Sequence, residues 1–249
     1  MLYGIQANIT ILVASFLGVF SIYNLNKVTD KEEDLINRPD QSPKSSTRYV
    51  VASIVTMILS LVLAFTVSLV AFLILLTPTV VGILYSVRFS PSLPRLKEVV
   101  GAKSILVAFS WSLYGAFLPL AQCGSTFPDI ALVFTYIFIQ VIINTILFDF
   151  FDAKGDGESG IRTIPIVFGP ERTKKMLFLF NTSLASLIAI FGIEGDFLKV
   201  MPALFFGVFY GYFIIWHFIK GPINRLSAEL IIDGAWVPMV AFIKIVLIL

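Results

Sequence analysis

Two short clusters carry the residues that can do chemistry in this chain. Asn26, Asp30 and Asp34 stand in NLNKVTDKEED at spacing i, i+4, i+8, and Asp149, Asp152 and Asp156 stand in FDFFDAKGD at i, i+3, i+7. On a helix each set lines one face and offers several oxygens in one direction. Magnesium takes ligands of this kind, usually one or two carboxylates together with water and the oxygens of a substrate phosphate. Two such clusters facing each other can hold metal ions that bridge a diphosphate. The plain alternative is a pair of ordinary polar helix ends meeting water, which is what an isolated acidic loop usually is. Asp149 and Asp152 weigh against it, because they are embedded among Phe148, Phe150 and Phe151, where an unpaired carboxylate is costly.

The segments that must position these clusters are apolar. The chain has 249 residues, 57% hydrophobic and 14% charged, whereas soluble domains carry about 25% charge. A bilayer is the expected solvent. Spanning its hydrocarbon core takes about 20 helical residues, and apolar runs of that length lie at about 3–24, 48–66, 68–86, 102–121, 129–149, 174–193, 198–218 and 228–249. The run from 48 to 86 needs a very tight turn near Thr66 to Ser68 to serve as two spans. No run alternates with period 2, and backbone in lipid must satisfy its own hydrogen bonds. The expected fold is therefore all-α, a polytopic membrane bundle of about eight helices occupying 1–249 as one domain. The first span follows Met1 almost at once, without a charged n-region or cleavage site, so no cleaved signal peptide is expected. The single cysteine, Cys123, excludes an internal disulfide and a CxxC metal site. A net charge of +2 gives no reason to expect a nucleic-acid partner.

Loop charge orients the bundle. With eight alternating helices, one side receives the loops near 25–47, 87–101, 150–173 and 219–227. Of the 18 Lys and Arg, all but Lys199 and Lys244 belong to that side or lie within a turn of it. By the positive-inside rule that side is cytoplasmic, which puts both acidic clusters on one cytoplasmic face of an integral protein of the cell membrane. The loop LYSVRFSPSLPRLKEVVGAKS brings Arg88, Arg95, Lys97 and Lys103 to the same face, while Arg38 follows the first cluster and Arg162 the second. Such groups bind the phosphate oxygens that a metal leaves free, or else anionic lipid headgroups. Arg95 and Lys97 are the stronger candidates, because Pro91 and Pro94 stiffen their loop. His217, beside Trp216, reads as a residue of the membrane interface.

Together these residues resemble the UbiA superfamily of intramembrane prenyltransferases. Asn26, Asp30 and Asp34 followed by Asn37-Arg38-Pro39 are similar to its first motif. Tyr85-Ser86, Arg95-Leu96-Lys97 and Gly101-Ala102-Lys103-Ser104 are similar to its central loop. Asp149, Asp152, Gly155 and Asp156, then Gly160-Ile161-Arg162-Thr163-Ile164-Pro165, are similar to its second motif. The likeness runs from residue 1 to about 175, and the last three helices agree in number only. It implies helices around a central cavity capped by the motif loops, and Mg²⁺-dependent transfer of an isoprenyl chain from a prenyl diphosphate to a hydrophobic acceptor within the membrane lipid. That acceptor is an aromatic ring or a lipid-like alcohol.

The resemblance also implies roles for the residues. Asp30, Asp34, Asp152 and Asp156 are the expected metal ligands and catalytic groups, helped by Asn26 and Asp149. Asn26, Arg38, Tyr85, Arg95, Lys97 and Arg162 are the expected substrate-binding groups. Two departures stand beside the likeness. The family usually has nine helices with the first motif after the second, whereas here it follows the first, so one amino-terminal helix is expected to be missing. Lys27 also stands where the family often has Asp. A catalytically inactive relative that binds isoprenoid lipid is one alternative. An ion-coupled transporter is another, disfavoured because the spans carry almost no mid-helix charge.

Overall fold

The computed structural model describes residues 8–37, 46–87, 90, 94–121, 127–191, 197–218 and 225–248, and among these there is helix and no strand. The helices are α1 (Ile9–Thr29), α2 (Lys31–Asn37), α3 (Ser46–Val67), α4 (Leu69–Ser86), α5 (Ala102–Phe117), α6 (Phe127–Glu158), α7 (Ile164–Phe168), α8 (Pro170–Phe191), α9 (Phe197–Phe218), α10 (Arg225–Ile232) and α11 (Trp236–Ile248). Arg38, Arg88, Pro91 and Cys123 lie outside the described residues.

Seven stretches are helical, long and apolar enough to cross a bilayer: α1, α3, α4, α8, most of α6 and α9, and Arg225–Ile245, where α10 meets α11 through the short 3-10 turn Asp233–Ala235. The remaining apolar run, 102–121, is α5 followed by the 3-10 turn Leu118–Ala121. Pro119 lacks the N–H that an α-helical turn needs, and the tighter coil extends the element toward the roughly 30 Å of a hydrocarbon core. All eight apolar runs are thus met by helix. The tight turn is a single residue. Ser68 is extended, and its hydroxyl accepts a hydrogen bond from the Ala71 N–H at 3.0 Å, so the start of α4 is capped with no loop exposed to lipid.

Helix α6 organises the bundle. Its 32 residues rise about 48 Å, far more than the bilayer requires, so its last turns carry Asp149, Asp152 and Asp156 out to the membrane surface as helix. Its apolar part packs in two core clusters, one with α8, α9 and α11 and the other with α5, α9 and α10. Polar side chains fasten these contacts to backbone carbonyls: the Tyr136 hydroxyl donates to Leu204 O at 3.3 Å, Asn144 Nδ2 to Ile232 O at 3.3 Å and Asn181 Nδ2 to Val208 O at 2.9 Å.

A third cluster joins α1, α3 and α4. Here small residues bring backbones together, as membrane helices require when water cannot drive association. The Ser60 hydroxyl donates to Ala14 O at 2.6 Å, and a side chain at Gly82 would collide with Ile22. The outward faces of α1, α3 and α4 carry exposed Leu, Ile, Val and Phe, as a lipid-facing surface does.

The close approach of α9 to α6 at Gly207 is testable. A Cβ on Gly207 would collide with the Tyr136 hydroxyl oxygen but stand 3.2 Å from its Cζ. Gly207→Ala is expected to cost about 1–3 kcal/mol of stability. Tyr136→Phe should relieve part of that loss, so that the double variant melts above the additive expectation in detergent-solubilised thermal unfolding. Strict additivity would refute the contact.

Candidate active site

The first acidic cluster lies on a bent but nearly continuous helix. Asp30 interrupts α1 and α2 with φ −102° and ψ 21°, yet its N–H still donates to Asn26 O at 2.8 Å and the Asp34 N–H to Asp30 O at 2.8 Å. Asn26 is held from α4, whose buried Ser86 hydroxyl donates to Asn26 Oδ1 at 2.5 Å. Asp34 is half-buried on α2, and Glu33, between the motif aspartates, is buried.

The basic loop seats on this arm through a short 3-10 turn, Leu96–Glu98. Lys97 is 1% exposed and places its Nζ 2.7 Å from Asp30 Oδ1 and 2.8 Å from Glu33 Oε1. Arg95 donates to Glu33 Oε1 at 3.1 Å, to Glu98 Oε1 at 2.7 Å and to Thr29 O at 3.2 Å. Charges this deep must be matched, because breaking one partner away leaves the other uncompensated. Burial opposes the charged form of Glu33, but the hydrogen bond from Lys97 and the charges of Lys97 and Arg95 overcome it and hold the carboxyl below its ordinary range. Burial likewise opposes the Arg95 cation, and hydrogen bonding to Glu98 with the charge of Glu33 outweighs it and raises its pKa.

The loop then turns at Gly101, whose φ of 72° is left-handed backbone that glycine tolerates. This starts α5 with Lys103 and Ser104 facing the second acidic cluster. The Lys103 ammonium stands 2.9 Å from Asp149 Oδ1 and 2.6 Å from Asp156 Oδ2, and the Ser104 hydroxyl donates to Asp149 Oδ2 at 3.0 Å. Asp152 is met from the far end of the chain by Arg225, the first residue of α10, at 2.7 Å. Asn37 ties the arms together directly: its amide donates to Asp152 O at 3.1 Å and accepts from the Gly155 N–H at 2.9 Å.

The two clusters and the basic loop therefore share one end of the bundle. Tyr85 is buried at the end of α4, within electrostatic range of Asp30, Lys103, Asp149 and Asp156. With Asn26 it heads a cavity between α1, α4 and α5 that continues past Ile22, Gly82, Trp111 and Tyr114. Arg162 is exposed on the segment between α6 and α7, and His217 is exposed and stacked on Phe213. Sequence reading assigned no role to Glu33, Asn37, Ser86, Ser104 or Arg225, and named Lys103 only as one cation of the loop. Asn37, Ser86 and Ser104 lay inside the quoted motifs; Glu33 is i+3 from Asp30 and was legible by spacing. Arg225 sits in no motif.

The donor set suits a hard divalent cation. Its candidate ligands are oxygen alone, its carboxylates outnumber the cations paired with them, and Asp149 Oδ1 is buried without a well-formed hydrogen bond. Among the described residues no three carboxylates already converge as a metal-binding group; lysine and arginine groups stand against Asp30, Asp149, Asp152 and Asp156 instead.

The UbiA prenyltransferase family model matches residues 4–228. The chain is 28% identical over 208 residues to digeranylgeranylglyceryl phosphate synthase of Thermococcus kodakarensis, covering 80% of this chain and 71% of that protein. Its fold is similar to solved structures of a UbiA homolog from Archaeoglobus fulgidus, one bound to DMAPP and Mg²⁺ and one to GPP and Mg²⁺. Each has a TM-score of 0.71 and 21% identity over 95% of this chain and 87% of that one. A solved structure concerned with digeranylgeranylglyceryl phosphate synthase in membranes is similar with a TM-score of 0.60 and 18% identity, over 98% and 88% of the two chains.

Two outcomes follow from the contacts between the arms and the loop. A depressed carboxyl pKa stabilises the fold fully above the unfolded value, 4.5 for Glu33, and that contribution is lost as pH falls through the lower folded value. Glu33→Gln should therefore cost roughly 2–3 kcal/mol at pH 7, with the gap in melting temperature to the parent constant down to pH 5 and closing below pH 4.5. Separately, a methyl at Gly155 would stand 2.5–2.6 Å from the Asn37 amide. Gly155→Ala should raise amide hydrogen exchange across residues 31–37 about tenfold or more, leaving the apolar part of α6 protected.

Proposed function

The chain belongs to the UbiA prenyltransferase family, and on that premise we propose that it transfers an isoprenyl chain from a prenyl diphosphate to a lipid-like alcohol within the membrane. One observation carries this reading: the buried Lys97 and the half-buried Lys103 lie between two carboxylate arms at the head of a largely apolar cavity. The carboxylates suit a metal-bound diphosphate, and the cavity suits its hydrocarbon tail. The likeness to digeranylgeranylglyceryl phosphate synthase supports an alcohol acceptor over an aromatic ring. The bias of Lys and Arg supports a motif face turned to the cytoplasm in the cell membrane.

In the proposed reaction the allylic C–O bond of the donor breaks and its electron pair leaves with the diphosphate. The acceptor oxygen then bonds to that carbon and releases its proton. Asp30, Asp34, Asp149, Asp152 and Asp156, with Asn26, would hold Mg²⁺. Bound there, Mg²⁺ supplies charge neutralisation that makes diphosphate a better leaving group. Arg95, Lys97, Arg162 and Arg38 bind diphosphate oxygens. Lys97 is engaged by Asp30 and Glu33 and Arg95 by Glu33 and Glu98, so each would bind diphosphate oxygens by sharing or leaving those carboxylates. Tyr85, Trp111 and Tyr114 present aromatic rings along the cavity, where they stabilise developing positive charge and exclude the water that would compete as acceptor.

The test is Mg²⁺-dependent release of diphosphate from labelled prenyl diphosphates of graded length, with the full chain in proteoliposomes. Chelation should abolish release, and Asp30→Asn and Asp152→Asn should each lower it at least about a hundredfold. A glycerol-based lipid alcohol should be prenylated faster than an aromatic acid. Absence of release from donors of every length would reject the enzyme reading, and full turnover in both Asn variants would reject the metal-ligand assignment.

A further inference from the structure

Arg225 is the cation that none of the sequence motifs contains. It opens α10, in the carboxy-terminal part of the chain, yet its guanidinium meets the middle carboxylate of the second acidic cluster. Nη1 stands 2.7 Å from Asp152 Oδ1, Nη2 stands 3.5 Å from Asp152 Oδ2, and Nε donates to Glu229 Oε1 at 3.0 Å. The side chain is mostly buried, 22% exposed against 14% for Asp152. The other two carboxylates of the cluster share Lys103. Arg225 therefore does for Asp152 what Lys103 does for Asp149 and Asp156.

We propose that Arg225 is a further diphosphate-binding residue of this site, holding Asp152 in the absence of substrate and transferring its guanidinium to the diphosphate when that carboxylate takes a metal ion. The inference rests on the prenyl diphosphate reading above. Its physical basis is charge. A guanidinium cannot shed its proton in a protein, so a metal that takes Asp152 leaves a half-buried cation with Glu229 as its remaining partner. The diphosphate arriving with the metal is the complementary anion, and the planar fork of Arg suits two of its oxygens at once. Metal and diphosphate then bind synergistically, because each removes a partner that the other would leave uncompensated. The exchange also joins α10, and through it the last membrane-crossing stretch, Arg225–Ile245, to occupancy of the site.

The experiment titrates Mn²⁺ by electron paramagnetic resonance, with and without inorganic pyrophosphate, on the full chain in nanodiscs. Wild type should take up Mn²⁺ more tightly when pyrophosphate is present. Arg225→Gln should bind pyrophosphate about tenfold more weakly at saturating Mn²⁺, while binding Mn²⁺ alone at least as tightly as wild type, since a competing cation is gone. Arg225→Lys should fall between, and Lys154→Gln, which removes an exposed cation of α6, should match wild type and so control for net charge. Pyrophosphate affinity of Arg225→Gln within twofold of wild type, in a folded protein, overturns the inference and leaves the prenyl diphosphate reading intact. Wild type with no pyrophosphate-dependent gain in Mn²⁺ binding overturns both. If Arg225→Gln does not fold, Arg225→Lys and Glu229→Gln decide: weaker pyrophosphate binding in the first and equal or tighter binding in the second support the exchange, and unchanged binding in the first with weaker binding in the second overturns it.

Discussion

A lysine that is almost fully buried must have its charge answered, and Lys97 is answered by Asp30 and Glu33 together. That requirement governs the whole membrane face of this protein. It draws the basic loop down onto the bend between α1 and α2, and Gly101 then reverses the chain so that Lys103 enters the second acidic cluster. The loop thus acts as a cationic wedge between two anionic arms. Either arm without it would concentrate like charge at a low-dielectric boundary, where repulsion is poorly screened.

The helices beneath are arranged to hold those arms at fixed separation. Helix α6 is long because its outer turns must carry Asp149, Asp152 and Asp156 beyond the apolar core while its inner turns anchor α8, α9 and α11. Small residues let α1, α3 and α4 approach closely, and Ser86 at the end of α4 reaches Asn26 on α1. Asn37 then pairs its amide with the backbone of α6 within the second cluster, at Asp152 and Gly155. The carboxylates are positioned by backbone and amide contacts as well as by charge, so their cations can change partners without the arms separating.

This division suits polyanion chemistry in a membrane. In the proposed reaction a site with more carboxylates than cations would draw divalent metal, and the cations already at the carboxylates would meet the phosphate that comes with it. The cavity headed by Asn26 and Tyr85 continues into the apolar bundle, so a single amphiphilic substrate can place its charged end among the arms and its chain among the helices.

The amino-acid sequence by itself determined the membrane environment, the all-helical class, the eight apolar runs, a very tight turn near Thr66 to Ser68 and the spacing that lines up the acidic residues. These are local properties: hydropathy over about 20 residues and the 3.6-residue period. The distribution of Lys and Arg among the loops placed Arg95 and Lys97 on the same face. Tertiary structure alone decided which charge meets which. Lys97 and Glu33 are 64 residues apart, Lys103 and Asp156 53, and Asp152 and Arg225 73, and no local periodicity relates positions so distant. Arg225 lay outside every motif for that reason. Its place beside Asp152 follows only from the packing of α10 against α6, where burial makes a matched pair of charges far less costly than two separate ones.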